Sequence, residues 1–209
     1  MFTITSLSLF IGAAVLLILI PGPDLIFAVT QGMVNGKRAG VYTAAGLALG
    51  NIIHTLAAAL GLSLLVKASP LLFTAFKIAG AVYLFNLAWK SIRHRKDTLK
   101  LGPGEQQRSG RSLMARGLLM NVLNPKVAIF FLTFLPQFVN YEYGWVPVQM
   151  IVLGLIFIIL TALIFGAFAY FAGSFSDKVL QKPRVQEAAN VGAGVIFILL
   201  GAKLLATKP

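Results

Sequence analysis

Six stretches of this chain are apolar enough and long enough to cross a bilayer, and two of them are broken midway by proline. Their rough limits are 5–34, 40–66, 70–91, 114–139, 146–173 and 188–206. An α-helix rises about 1.5 Å per residue, so about 20 apolar residues cross about 30 Å of hydrocarbon. In lipid the backbone must satisfy its own polar groups, which selects helices over open strands. Charged residues make up only 11% of the 209 residues, against 58% hydrophobic. A soluble domain carries about 25% charged residues. The chain is therefore expected to be an all-α integral membrane protein with one domain over 1–209. Residues 7–20 have the length of a signal-peptide core, but no Lys or Arg precedes them and PGPD follows, so a retained helix is expected. The absence of cysteine excludes disulfides, thiolate metal sites and cysteine nucleophiles.

The net charge of +12 sits mostly in short connections. Lys37, Arg38, Lys90, Arg93, Arg95, Lys96, Lys100, Arg108, Arg111, Arg116, Lys178, Lys182 and Arg184 fall on one side of an alternating topology, against Lys67, Lys203 and Lys208 on the other. The positive-inside rule then puts the long loop 92–113 in the cytoplasm and both termini outside it. Those basic loops suit anionic lipid. No basic patch interleaved with aromatics is present, so nucleic acid is not an expected partner.

The halves resemble each other. At a shift of 102, Pro23-Asp24 falls on Pro125-Lys126 and Gly22 on Asn124; at a shift of 113, residues 79–92 align with 192–205. Three crossings per half force the halves to run in opposite directions. The pattern predicts six transmembrane helices as two inverted three-helix repeats, 1–91 and 114–209, with helices 1 and 4 broken near the midplane.

Proline has no N–H to donate and serves well as the first residue of a helix. Pro21, Pro23 and Pro125 mark the breaks, with Gly22 and Asn124 as expected caps. Two helix N-termini would meet at the midplane, where Asp24 and Lys126 occupy first turns. An ionisable residue there costs at least about 2.5–3.5 kcal/mol and faces a partner, the protein interior or a ligand. Asp24 suits its helix end, whereas Lys126 opposes its own. One reading is a zwitterion site, with Asp24 on an ammonium and Lys126 on a carboxylate. The other is a structural Asp24–Lys126 ion pair in a protein that need not transport. Asn51 and His54 share a helical face near the same depth, and Asn121 lies one turn before Pro125. Histidine is the side chain whose ordinary pKa lies nearest neutral pH, so His54, with Asp24, is a candidate for proton coupling.

Enzyme motifs are missing: there is no HExxH, nucleophile elbow or P-loop, and no cluster of metal-ligand type. No cofactor is expected. Uphill transport would draw on an ion gradient or a separate subunit. PGPD (21–24), GLALGNIIH (46–54), GAVYLFNLAWK (80–90) and NPKVAIFFLTFLPQF (124–138), in this order, resemble the lysine-exporter (LysE) superfamily, in its homoserine/threonine-efflux (RhtB-like) branch. The resemblance implies a proton-driven exporter of amino acids in a bacterial inner membrane, with six helices and often a homodimer. It carries over onto Pro21, Gly22, Pro23 and Asp24, and onto Asn124, Pro125 and Lys126. Members of that family often carry an acidic residue where this chain has Asn51, which leaves Asp24 and His54 as the titratable candidates. One acid, one lysine and one histidine at the midplane favour a neutral zwitterion such as threonine, homoserine or a leucine-like residue. Another small metabolite or a cation is the alternative cargo.

Overall fold

The computed structural model describes residues 2–20, 22–62, 70–93, 109–175, 187, 191, 194–195, 198–199, 201–202 and 205–206. Helices occupy most of the described residues of the first five apolar stretches, and the described residues of the sixth are helical too; no strand occurs among the described residues. Helix α1 is Ile4–Leu19 and α2 is Pro23–Val34. Helix α3, Lys37–Ala57, runs on as a π turn over Ala58–Leu62, and α4 is Pro70–Arg93. Helix α5 is Gly110–Val122. Helix α6, Pro125–Ile129, continues through a π turn at Phe130–Phe134 and a 3-10 turn at Leu135–Phe138. Helix α7 is Val146–Phe175.

Both breaks fall where the prolines predict. Helices α1 and α2 meet at a bend of 59°, and α5 bends by 52° from the segment that starts at Pro125. By length and composition, Lys37–Gly61 and Val146–Ala172 each suit a membrane crossing, and each bent pair suits one more. Among the described residues that gives two to four spans.

Helix ends follow local chemistry. Thr3 caps α1 by accepting from the Ser6 N–H, and Ser109 caps α5 by accepting from Ser112, which extends α5 ahead of its apolar run. Gly36, at φ 86°, makes the tight turn from α2 into α3, a backbone region that glycine enters without a side-chain clash.

Helix α3 forms the centre, between α5 and α7. Its small residues let neighbours approach to backbone distance. A Cβ built on Gly46 would overlap the Met114 carbonyl of α5, and one built on Gly117 would lie 2.5 Å from the Thr43 carbonyl. This is close packing of the small-xxx-small kind. Gly46→Val is expected to cost at least about 1–3 kcal/mol through overpacking against backbone that cannot yield. Thermal unfolding in detergent measures this, and an unchanged midpoint would contradict the contact.

Helix α7 carries two apolar stripes. Met150, Leu153, Phe157, Phe165 and Ala169 are buried, whereas Val148, Leu155, Ile159 and Leu163 are exposed on the other side. An apolar exposed stripe on so hydrophobic a helix fits a lipid-facing flank.

Candidate functional site

The breaks bring distant polar residues together. Asp24, Asn51, Asn121 and Lys126 are all buried, at 2%, 0%, 1% and 8% exposure, and all four line one cavity. Its volume is about 10 Å³, room for about one water. Leu17 and Ile18 close it from α1, and Phe157, Thr161 and Phe165 from α7. An amino acid does not fit this closed form.

Proline arithmetic explains how the cavity is framed. In a continuous helix the N–H of residue 21 would bond the Leu17 carbonyl, and that of residue 125 the Asn121 carbonyl. Pro21 and Pro125 have no such N–H; the placement of Pro21 itself lies outside the described residues. Side chains from the other half of the chain occupy these carbonyls instead. Lys126 Nζ donates to Leu17 O at 3.3 Å and to Ile20 O at 3.2 Å. His54 Nε2 lies 3.0 Å from Asn121 O, which also accepts from the Asn124 N–H at 2.9 Å. A carbonyl can only accept, so His54 carries its proton on Nε2. Each half thus mends the break in the other.

The misfit of Lys126 at its own helix start is resolved by this contact. Its ammonium sits at the C-terminal end of α1, where the dipole favours a cation. Gly22 makes room for it: a Cβ there would lie 3.1 Å from Lys126 Nζ. Asn124 is the expected cap of α6, with Oδ1 accepting from the Lys126 N–H at 3.0 Å. Gly22 caps α2 without a side-chain bond, and Pro23 is the first residue of that helix.

Asp24 and Lys126 are not joined directly. Among the described residues the two form no ion pair within 4.0 Å. Asp24 Oδ2 instead accepts from Asn121 Nδ2 at 2.8 Å. His54 therefore reaches Asp24 only through Asn121, and its ring packs 5.8 Å from that of Phe131, outside the cavity lining. Asn51 donates from Nδ2 to Thr161 Oγ1 at 3.3 Å, and Thr161 in turn donates to Phe157 O at 2.8 Å. Thr161 lies in a long, strongly apolar helix without a break beside it, so no sequence signal marks it.

Three buried oxygens around the cavity, Asp24 Oδ1, Asn51 Oδ1 and Asn121 Oδ1, receive no hydrogen bond from the described residues. Leaving a buried polar atom unsatisfied costs about 1–3 kcal/mol each. Three acceptors with room for a donor, next to a lysine ammonium, can hold an ammonium group on one side and a carboxylate on the other.

A helical membrane-type fold whose two broken helices enclose a polar, charged cavity belongs to the class of membrane translocators. Residues 15–208 match the family model described as LysE type translocator, and the chain belongs to that family. An uncharacterised membrane protein of Bacillus subtilis is 31% identical over 95% of this chain and 97% of its own length. One of Pseudomonas aeruginosa is 30% identical over 96% and 95%. A leucine efflux protein of Klebsiella pneumoniae is 27% identical over 91% of this chain and 90% of its own. No solved structure matches the chain significantly.

Proposed function

We propose that the chain is a secondary active exporter of neutral amino acids or close derivatives, leucine-like or threonine- and homoserine-like, working by proton antiport. The observation that carries this is the set of three oxygens, Asp24 Oδ1, Asn51 Oδ1 and Asn121 Oδ1, that the described residues leave free to accept around one cavity with the Lys126 ammonium. An α-ammonium has three N–H donors for three acceptors, and its charge balances Asp24. A carboxylate beside Gly22 would take the place of the Leu17 and Ile20 carbonyls on Lys126. The zwitterion adds no net charge to a site in the membrane, whereas a bare cation would add one. Two relatives named leucine efflux protein support an amino-acid cargo.

The fold in this reading is one domain of six spans, with inverted halves 1–91 and 114–209 joined by a cytoplasmic loop 92–113. Both termini lie outside the cytoplasm, in an inner membrane whose anionic lipid meets the basic loops, and a homodimer is compatible with the exposed apolar flanks. Because the cavity is closed around about one water, the halves must part to admit cargo. Protonation of Asp24 supplies a donor to the orphan oxygens when cargo is absent, which couples a proton to the empty return step. His54 acts as a positioning residue, holding Asn121 against Asp24.

Competition against radiolabelled L-leucine binding tests the zwitterion requirement. Isoamylamine lacks the carboxylate and 4-methylpentanoate lacks the ammonium. Each is expected to compete about tenfold to a hundredfold more weakly than unlabelled leucine, the value of one charge-assisted bond. Equal competition by isoamylamine would remove the carboxylate's role and overturn the reading.

A further inference from the structure

A second, larger recess of about 440 Å³ opens at the N-terminal end of α1. Its polar lining is Thr3, Ser6, Gln137, Asn140, Tyr141 and Glu142, with Glu142 as the one charged side chain among the described residues. The loop that carries Glu142 is held in place from below. Gln149, fully buried, donates to the carbonyls of Asn140 and Gly144 at 2.8 and 2.7 Å and accepts from the Asn140 N–H at 2.9 Å. Burial raises the Tyr141 pKa, so its hydroxyl stays neutral at ordinary pH.

Two stripes connect this recess to the midplane cavity. Along α1, Thr3 and Ser6 line the recess, Phe10 and Ala14 are fully buried, and Leu17 lines the cavity. Along the second broken segment, Val127 lines the cavity, Phe130 and Phe134 are buried, and Phe138 lines the recess. The first set recurs every three or four residues of α1, so it is one helix face, and the second set is joined by direct ring contacts. Between them the phenylalanines interlock: Phe10 to Phe138 at 5.3 Å, Phe10 to Phe130 at 6.3 Å, Phe130 to Phe134 at 5.2 Å and Phe134 to Phe138 at 5.1 Å. Phe130 also stacks on Phe157, which lines the cavity, at 5.0 Å. Phe130 to Phe134 form a π turn, a feature that recurs at functional sites.

We propose that the recess is an outer binding site for the amino group of the cargo, held by Glu142 and divided from the midplane cavity by the Phe10–Phe130–Phe134–Phe138 plug. The cargo's identity as an amino acid rests on the function proposed above; the site and plug rest on the two cavities and the rings between them. Cargo leaving the midplane site passes the parted rings and lingers at the recess, where one acidic group and neutral hydroxyls and amides favour an ammonium over an anion.

The chain contains no cysteine, so single cysteines report without background. The full chain in sealed vesicles, N-terminal face outward, is treated with a membrane-impermeant maleimide. Ser6→Cys is expected to react readily, and Ile18→Cys, at the cavity, about tenfold or more slowly behind close-packed rings. Phe10→Ala, or the milder Phe138→Leu should the first not fold, is expected to speed Ile18→Cys toward the Ser6→Cys rate. L-Leucine outside should slow Ser6→Cys about threefold, the scale of one exposed ion pair, and Glu142→Gln should remove that slowing. Equal rates for Ser6→Cys and Ile18→Cys in the otherwise unaltered chain would overturn the plug. Leucine counterflow without protection of Ser6→Cys would overturn the outer site and leave the midplane reading standing. If the vesicles exchange no leucine, the midplane reading fails, and n-propylamine, which carries the amino group alone, decides the outer site by the same Glu142-dependent protection.

Discussion

Lys126→Met is expected to abolish transport and to lower stability by on the order of 3 kcal/mol, because it removes two charge-assisted hydrogen bonds and strands their acceptors. The acceptors are the Leu17 and Ile20 carbonyls at the end of α1, which have no helical partner beyond the break. Methionine fills much of the lysine's volume, so the loss reflects the ammonium rather than a cavity. Arginine should not restore function: position 126 is buried beside a cavity of only about 10 Å³, too little for the larger planar guanidinium. The charge swap Asp24→Lys with Lys126→Asp should fail as well. A direct ion pair would survive such a swap, but a carboxylate at 126 cannot donate to two carbonyls. Unfolding midpoints in detergent decide the matter, and a swapped protein as stable as the original would contradict the bonding described.

Asp24→Asn is expected to behave in the opposite way, losing transport while keeping its fold. The asparagine carbonyl can still accept from Asn121 Nδ2, as Asp24 Oδ2 does at 2.8 Å. Its amide adds a donor among the orphan oxygens of Asn51 and Asn121, and a buried charge is gone. The variant also removes the carboxylate's attraction for the buried Lys126 ammonium, so stability should change little rather than rise. Transport should fall about tenfold to a hundredfold or more, since a charge-assisted contact to the cargo's ammonium contributes about 1.5–3 kcal/mol. Stability kept where activity is lost marks a residue held for function.

The positions of both breaks were legible in the sequence, because proline chemistry is local: Gly22-Pro23 and Asn124-Pro125 stand where the second helix of each bent pair begins. The shared depth of Asp24, Asn51, Asn121 and Lys126 also followed from counting along apolar runs, and all four line one cavity. What fills each broken carbonyl did not follow. Lys126 reaches Leu17 across 109 residues, and His54 reaches Asn121 across 67. Local rules showed that Lys126 opposed its own helix but not which helix end it served. His54 looked like a proton site from its residue type alone; its place behind Asn121 depends on how α3 packs on α5. Thr161 and Gln149 are isolated polar residues in a long apolar helix, and their partners on α3 and on the 140–144 loop are tertiary. Pro21 and most of the sixth stretch lie outside the described residues, so the aligned third helices of the two halves stay an expectation.

The most direct measurement of the central claim is counterflow of radiolabelled L-leucine in proteoliposomes, with and without a pH gradient, for the unaltered chain and for Asp24→Asn matched by unfolding midpoint. The account predicts exchange that a pH gradient drives in the unaltered chain, and a folded variant in which both exchange and its response to the gradient are lost. Gradient-driven leucine exchange that survives Asp24→Asn would contradict the claim that the orphan oxygens at the break hold the cargo and the proton.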